Sequence, residues 1–335
     1  MKYFSTLLLT LCLLTAAFAN NDKDSSAPAP QSIFDLMYSE TAIPASLTVN
    51  MAQVISNKKS KEETKAIFAF TDAYGASHQI ATKVSVRGKF RRRVCDLPPL
   101  KLNFKKGDLA ANGLKDYDKY KLVTHCLDSK EGQENLLREY TAYKLYNQLT
   151  DNSFRVQLLK MEYVDAITHD VTDGYAILIE ETDEMADRLN GAVIKDRYGM
   201  DQSQLQAQNA QMHALFQYMI GNTDWSMARL HNMKVVATST QNIAVPYDFD
   251  FSGLVNASYA RPNVNVKQTS VRQRIFMGMD YSDQTWSNTV DLFKAKQALF
   301  LSTIKNSTSL KKAAKRDMVK YINGFYDQLE QGISL

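Results

Sequence analysis

Beyond its first nineteen residues the sequence has no apolar run long enough to cross a membrane as a helix. It also lacks an excess of either charge, since 40 Lys and Arg face 36 Asp and Glu. That balance gives no indication of a nucleic-acid partner. Cysteine is scarce, with three residues in 335, and no internal repeat is visible. The 17 Tyr, 15 Phe and 44% hydrophobic residues exclude a disordered protein and suffice for one large or two-lobed domain.

The amino-terminal stretch has the pattern of a secretory signal peptide. Lys2 precedes a mostly apolar segment, residues 4–14, and Ala17–Ala19 form a small-x-small cleavage site. The apolar segment is too short for a membrane anchor, and Leu11 before Cys12 does not fit a lipoprotein signal. We therefore expect a signal peptide over residues 1–19 and an exported protein, periplasmic or extracellular.

The next residues are polar and rich in Ser, Ala and Pro. They predict a flexible leader over residues 20–43 and a folded domain over 44–335, with the start of the folded part left open between Ser32 and Pro44. Signal cleavage would leave Cys95 and Cys126, and an oxidising compartment allows two thiols to pair. Their pairing depends on a geometry that the sequence does not give, so it is left open.

Strand patterns dominate the first half of the domain, and helical patterns dominate the second. Strands are predicted at 46–54, 64–70, 78–90, 97–104, 120–126, 155–165, 174–181, 232–239 and 242–251. Helices are predicted at 134–149, 202–220, 283–304 and 310–330. This order predicts an α+β protein of two lobes, about 44–185 and 186–335.

Acidic residues lie at the outer ends of the hairpin that the last two strands should form. Asp224 follows a predicted helix, Asn232 begins the first strand, and Asp248 and Asp250 end the second. Because a hairpin brings its outer ends together, these side chains are expected to share one small volume. Carboxylates that close repel unless a cation neutralises them or they share a proton. Their oxygen atoms suit a hard divalent cation such as Mg²⁺.

Phosphoryl transfer uses such a set: an Asp that handles the acceptor's proton, and an Asn and a second Asp that hold Mg²⁺ on the phosphates. Asp224 and Asn232 are eight residues apart, whereas ordinary protein kinases separate this pair by about five. Each motif alone is also common as a turn or a strand end, and His231 alone is expected to be structural. A hydrolase that binds its metal through these carboxylates is another interpretation, but the acids have no nearby pair of His residues.

Several stretches between residues 84 and 253 resemble the CotH-like kinases, which are secreted or spore-coat atypical protein kinases. In the family's order they are "VSVRGKFRRRVCDLPPLKLNF", "YKLVTHCLDSKEGQENLLREYTAYKLYNQL", "DGYAILIEETDEMADRLNG", "IGNTDWS" and "YDFDFSG". The resemblance implies a two-lobed atypical protein-kinase-like fold, with a β-rich N-lobe that carries one inserted helix and a mainly helical C-lobe.

The activity that the resemblance implies is ATP-dependent phosphorylation of Ser or Thr on an exported protein, with Mg²⁺ or Mn²⁺. The alternative is a catalytically inactive kinase-fold binding module or cell-envelope scaffold. We expect a monomer that binds no nucleic acid. The resemblance makes Asp224 the catalytic residue and Asn232 and Asp248 the metal ligands, with Asp250 as the alternative to Asp248.

The same resemblance assigns residues to the cofactor phosphates. It makes Lys121 the phosphate-pairing Lys, with Lys119 as its rival, and Glu139 the partner of that Lys. Arg87 and Gly88 fall in the family's phosphate loop, where Gly88 would let the backbone approach a phosphate.

A basic run, Arg91 to Arg93, stands where the family has a Ser-rich loop. Two interpretations remain open. The run is either a solvated edge strand, which Arg suits and which we favour slightly, or a dock for an acidic substrate or a phosphate.

Overall fold

Ten strands and nine α-helices are present in the part of the chain that the computed structural model describes, residues 30–60, 62–195, 200–279 and 282–333. The predicted signal peptide lies outside these ranges. The strands are β1 (Ile43–Val49), β2 (Thr64–Thr71), β3 (Ser77–Val86), β4 (Leu100–Phe104), β5 (Lys119–Val123), β6 (Val156–Asp165), β7 (Val171–Ile179), β8 (Gly191–Val193), β9 (Met233–Thr238) and β10 (Asn242–Pro246). The helices are α1 (Ile33–Met37), α2 (Met51–Ser56), α3 (Arg91–Val94), α4 (Lys106–Ala111), α5 (Lys130–Leu149), α6 (Thr182–Arg188), α7 (Ala207–Ile220), α8 (Asp283–Asn306) and α9 (Lys312–Gln331).

Strands β1 to β7 form one sheet that closes into a barrel, in the order β1-β2-β3-β4-β5-β7-β6. The closing pair, β1 and β6, is parallel, and places Ile43 opposite Leu159 and Val49 opposite Asp165. Alternate residues of β1 are buried, as expected for side chains that point into a barrel. The predicted α+β class is confirmed. Closure of the sheet was not predicted, because the pairing of β1 with β6 joins segments far apart in the chain.

Helix α1 covers one part of the barrel core, so the predicted leader is too long. Phe34 and Met37 are fully buried, and they belong to the same apolar cluster as the inward side chains of β1 to β7. Ser32 caps the helix by accepting a hydrogen bond from the Asp35 amide at 2.9 Å. The leader was predicted to reach residue 43, but residues 32–43 are folded, because apolar side chains among them fill the barrel.

A second core lies on the outer face of β6 and β7. Their outward apolar side chains pack with α5, α7, α8 and α9. Helix α7 is buried from Asn209 to Ile220 and ends at Gly221, whose φ of 66° is left-handed. The predicted helix stop at Gly221 is confirmed. No helix within the described ranges is long and apolar enough to span a membrane.

A small three-stranded sheet, β10-β9-β8, carries the hairpin predicted from the sequence. Strands β9 and β10 pair antiparallel, from Met233 opposite Pro246 to Ala237 opposite Asn242, so the hairpin is confirmed. The segment 51–54, predicted as strand, begins helix α2 instead, because Asn50 accepts a hydrogen bond from the Gln53 amide and caps it. Gln31–Leu335 forms one compact unit, and the expected lobe boundary near residue 185 falls inside α6.

Candidate functional site

The open end of the β9–β10 hairpin brings two of the predicted site residues together. The Tyr247 amide donates to the Asn232 carbonyl oxygen at 3.0 Å, one step beyond the last strand pair. Asn232 and Asp248 have left-handed φ values of 53° and 68°. Asn and Asp tolerate that backbone better than other non-glycine residues. The chain therefore turns out of the sheet at both residues.

Asp224, the predicted catalytic residue, is held by its two neighbours in this turn. The Asn232 side-chain amide donates to the Asp224 carbonyl oxygen at 2.7 Å and to carboxylate Oδ2 at 2.9 Å. The other carboxylate oxygen lies 3.1 Å from His231 Nε2. This hydrogen bond raises the pKa of His231, which burial alone would lower. His231, expected to be structural, is thus a partner of Asp224, whose side chain is 41% exposed.

Arg91 occupies the centre of the acidic cluster, in contrast to the edge strand favoured from the sequence. Its Nε lies 3.0 Å from Asp250 Oδ2, its Nη1 lies 3.6 Å from Glu139 Oε2, and its Nη2 donates to Asp248 Oδ1. The run forms the short helix α3, and Arg91 is only 7% exposed. A buried cation is stable here because three carboxylates surround it. The edge-strand interpretation is therefore wrong for Arg91.

The three carboxylates differ in protonation because their surroundings differ. Burial raises the pKa of Glu139 to about 7 and that of Asp250 well above its usual value, although Arg91 opposes both shifts. Burial also acts on Asp248, but there the charges of Arg91 and Arg87 prevail and lower its pKa. The Asp248 side chain is 28% exposed and that of Asp250 only 4%. Asp248 is therefore the ionised, accessible acid, whereas Asp250 is the buried acid that holds the Arg91 guanidinium.

Lys121 projects from β5 toward the hairpin, but it does not pair with Glu139 as the resemblance implied. Its Nζ lies 4.8 Å from the Phe154 ring centre and 4.5 Å from that of Tyr247, and it contacts Thr182 Oγ1 at 3.4 Å. The partner of Glu139 is Arg91 instead, because α3 places the Arg91 guanidinium next to the Glu139 carboxylate.

Positive charges converge on Lys121. Burial, then the charges of Arg87 and Lys234, lower its pKa to about 7, while Asp248 acts in the opposite direction. Its rival, Lys119, is exposed and pairs with Asp118 at 2.9 Å. Of the two lysines, Lys121 is therefore the one whose pKa is affected by the charged residues of the site.

The loop between β3 and α3 contains Arg87 and Gly88. Gly88 has a φ of 81°, in the left-handed region where glycine is favoured. The turn therefore requires Gly88 for its own geometry. The charge of Arg87 reaches Asp248, Glu139 and Lys121.

A cavity of about 550 Å³ opens beside Asp224. Its wall contains Asp224 and His231 together with the cationic residues Lys89, Arg229 and Arg261. A larger depression of about 970 Å³ lies on the barrel strands β1, β2, β3, β6 and β7, and no predicted site residue lines it. Of the predicted site residues, Asp224 alone lines the smaller cavity.

Some residues of the site were missed in the sequence. A solvated edge strand was slightly favoured for Arg91 over a docking role, and neither Lys234 nor Tyr143 was singled out. The Tyr143 hydroxyl accepts a hydrogen bond from the Asp248 amide at 2.7 Å and so fixes that turn. The sequence held only an indirect signal for Arg91. Buried acids need a cation as partner, but the sequence does not show which of the neighbouring Arg residues supplies it.

The donor set around Asp248 sets limits on a metal. Within the described ranges, no group of three or more His, Cys, Asp or Glu side chains has the arrangement of a metal site. Asp248 is partly exposed, whereas Asn232 is buried and Asp250 is covered by Arg91. Mg²⁺ is commonly bound through one or two carboxylates plus substrate phosphates. The residues present fit a metal that arrives with a phosphate ligand, with Asp248 as the main protein ligand.

No family model and no curated protein matches the chain. Among solved structures, the crystal structure of the Helicobacter pylori proinflammatory kinase CtkA matches over 73% of this chain and 92% of that chain. Its TM-score is 0.41 and 8% of the aligned residues are identical. A similarity at this level does not establish a shared activity.

Proposed function

We propose that this chain is an exported, atypical kinase-like phosphotransferase with a two-lobed arrangement of barrel and helices. It binds ATP with Mg²⁺ or Mn²⁺ and transfers the terminal phosphoryl group to Ser or Thr of an exported protein. The proposed site uses Asp224 for the acceptor, Asp248 and Asn232 for the metal, and Lys121 and Arg87 for the phosphates. The chain acts as a monomer and does not require nucleic acid.

One observation carries the proposal: a set of cations faces an ionised Asp beside a second, solvent-facing Asp. Burial and the charges of Arg87 and Lys234 lower the pKa of Lys121, while the carboxylates of Glu181 and Asp248 act in the opposite direction. Like charges are costly together unless an anion neutralises them. A polyphosphate supplies that anion, and its binding would restore the charge on Lys121.

Asp224 is suited to orient an acceptor hydroxyl. Asn232 fixes the carboxylate by two hydrogen bonds, and His231 holds its second oxygen. An anionic carboxylate in this position accepts the hydroxyl proton or aligns it for transfer, as in general-base catalysis. The exposed side of Asp224 faces the 550 Å³ cavity, which gives an acceptor a way in.

A metal ion, when bound, would neutralise the charge on the transferred phosphoryl group. Asp248 suits the metal because it is ionised and accessible, and Asp250 then serves as the anchor of Arg91. The Arg91 guanidinium already contacts one oxygen of Asp248, and Asp250 also hydrogen-bonds to that carboxylate, so a metal would share Asp248 with these two neighbours. Glu139 acts through Arg91 and not through Lys121.

A second candidate is the non-catalytic binding module or envelope scaffold. The observation that favours it is Arg91 itself, since its guanidinium already compensates the acids that a metal would need. In that case the acidic cluster is a structural ion network, a common reason for perturbed pKa values.

Thermal unfolding with and without nucleotide separates the two candidates. We expect ATP to raise the melting temperature only when Mg²⁺ or Mn²⁺ is present, because ligands that bind the folded state stabilise it. Asp248→Ala should abolish the increase and Asp224→Ala should retain it. No increase with any nucleotide or metal would favour the scaffold. An increase followed by no phosphate transfer to any Ser or Thr acceptor would indicate an inactive nucleotide-binding module.

A further inference from the structure

The cavity beside Asp224 is rich in positive charge. Lys89 comes from the loop before α3, Arg229 from the turn after α7, and Arg261 from the loop that follows β10. All three side chains are exposed. Within the described ranges no carboxylate lies within ion-pair distance of any of them. The one acid in the cavity wall is Asp224, which already pairs with His231.

The walls of this cavity are fixed by hydrogen bonds. Arg261 Nη1 donates to the carbonyl oxygens of Ser258 and Ala260, each at 3.0 Å. The Asn263 side-chain amide donates to the Thr223 carbonyl oxygen at 2.9 Å and ties the same loop to the segment that carries Asp224. Arg261 is therefore held in place on this wall, which lowers the entropic cost of binding an anion there.

Aromatic packing supports the side of the cavity that carries Lys89. Phe90, next to Lys89, packs edge-on against Phe251 with ring centres 5.3 Å apart, and Phe251 also lines the cavity. The Lys89 loop is thus attached to the segment after β10. Three chain segments that are distant in sequence meet around one acid and bring cations with them.

We infer that the acceptor is a peptide segment with acidic residues beside its Ser or Thr, held by Lys89, Arg229 and Arg261 while Asp224 receives the hydroxyl. The role of the hydroxyl rests on the proposed phosphoryl transfer, whereas anion binding does not. The cations lie on separate segments around the rim, an arrangement that matches several carboxylates spaced along a peptide better than one compact anion. Complementary charge also steers association and suppresses basic partners.

The experiment measures peptide binding without nucleotide. Fluorescently labelled peptides of equal length carry one central Ser flanked by Glu, by Ala or by Lys, and anisotropy gives the affinity at low ionic strength. We expect the Glu peptide to bind about tenfold or more tightly than the Ala peptide, and the advantage to shrink as salt is added. Inorganic phosphate, tested as a competitor, should displace it only weakly.

Charge reversals locate the surface. Arg229→Glu and Arg261→Glu should each weaken binding of the Glu peptide about tenfold, since an attraction becomes a repulsion. Lys294→Glu on α8, an exposed lysine outside the cavity, is the matched control and should change nothing. Asp224→Asn should strengthen binding, because the one repelling carboxylate is removed while its size is kept.

The inference is overturned if the Lys or Ala peptide binds as tightly as the Glu peptide, or if no peptide binds. It is also overturned if the reversals have no larger effect than Lys294→Glu, or if inorganic phosphate competes as well as the peptide does. The proposed function fails separately. If the protein prefers the Glu peptide but binds no nucleotide, the docking site for acidic peptides stands and the proposed kinase activity fails. If it binds nucleotide without this preference, the proposed activity stands and the docking site fails.

Discussion

At the scale of single residues, Asp224 and Asp248 differ in what surrounds them. Asp224 is exposed and bonded to neutral or weakly basic partners, Asn232 and His231. Asp248 lies among the guanidinium groups of Arg91 and Arg87, which keep its pKa low. We therefore expect the two acids to have different roles, so that substituting each one changes a different property of the protein.

Asp224→Asn keeps the size and most hydrogen bonds of the side chain but removes its basicity. Turnover should fall about a hundredfold or more, as for loss of a general base, with nucleotide affinity near wild type. Asp248→Asn should weaken Mg²⁺-nucleotide binding itself, because a charged ligand is lost. Calorimetric titration and steady-state kinetics measure the two effects.

Asn232→Ala sharpens this comparison, because Asn232 contacts Asp224 directly. It should lower turnover as well as metal-dependent affinity. Circular dichroism must show each variant folded. If all of these variants bind nucleotide and turn over like the wild type, the motif is only a helix stop and a turn.

Lys121 carries a prediction that does not depend on catalysis. Its pKa is about 7 in the folded protein against an ordinary value of 10.5. Between these values the unfolded chain binds more protons than the folded one, so the free energy of unfolding should rise with pH across this window. Below about pH 7 both states are protonated, and the cost of the buried charge is fully present.

Urea unfolding at pH 7 and pH 9 tests the lysine. The wild type should gain more stability over this interval than Lys121→Met, which has no charge to lose. Lys119→Met, a change at the exposed rival lysine, serves as the control and should follow the wild type. Equal pH slopes for wild type and Lys121→Met would contradict the depressed pKa.

At the scale of elements, α3 is a four-residue helix whose main contribution is one side chain. It is too short for helix propensity to stabilise it. Its position is set by the ion pairs of Arg91 with Glu139 and Asp250 and by Cys95, which follows it directly and is bonded to Cys126. The element therefore depends on tertiary contacts.

Arg91→Met should destabilise the fold by about 3–5 kcal/mol, because it leaves buried carboxylates without their cation. Arg93→Met, an exposed change in the same helix, should stay within about 0.5 kcal/mol of wild type. In the Arg91 variant the acids have raised pKa values, so the folded state binds more protons and the loss should shrink as pH falls from 8 to 5. Urea titrations at both pH values measure this. A loss equal to that of Arg93→Met would refute the ion network.

At the scale of the whole molecule, a disulfide and a closed barrel hold together segments that are distant in the chain. Cys95 and Cys126, whose pairing the sequence left open, form a disulfide across a separation of 31 residues. The bond joins the end of α3 to the segment after β5, beside a bridge between Leu97 and Cys126. It thus fastens the basic loop of the site to the barrel.

Replacing both cysteines with Ser should lower the free energy of unfolding by about 3–4 kcal/mol, by the entropy of a closed loop of this length. Reducing agent should have the same effect on the wild type and none on the double variant, which makes the variant its own control. Two free thiols in protein purified from the native host, found by mass spectrometry without reductant, would contradict the bond.

Local periodicity determined most of the elements. Alternating or continuous apolar residues predicted β2, β3 and β6, and period 3.6 predicted α5, because these patterns reflect which side of a strand or helix meets the core. Helix α7 was also predicted from an apolar face, although the structure buries it on all sides from Asn209 to Ile220. The hairpin also placed Asn232 beside Tyr247 and Asp248, since antiparallel pairing is a local event. Asp224, Asn232 and Asp248 were named from sequence for this reason.

Only the tertiary structure decided the place of Arg91, the folding of residues 32–43 and the closure of β1 onto β6. Arg91 is buried because Glu139 and Asp250 reach it from two other segments, and the neighbouring arginines have the same local pattern without that fate. Phe34 is core because a distant barrel has room for it. In each case the stabilising partner lies far along the chain, where no short-range pattern reports its distance.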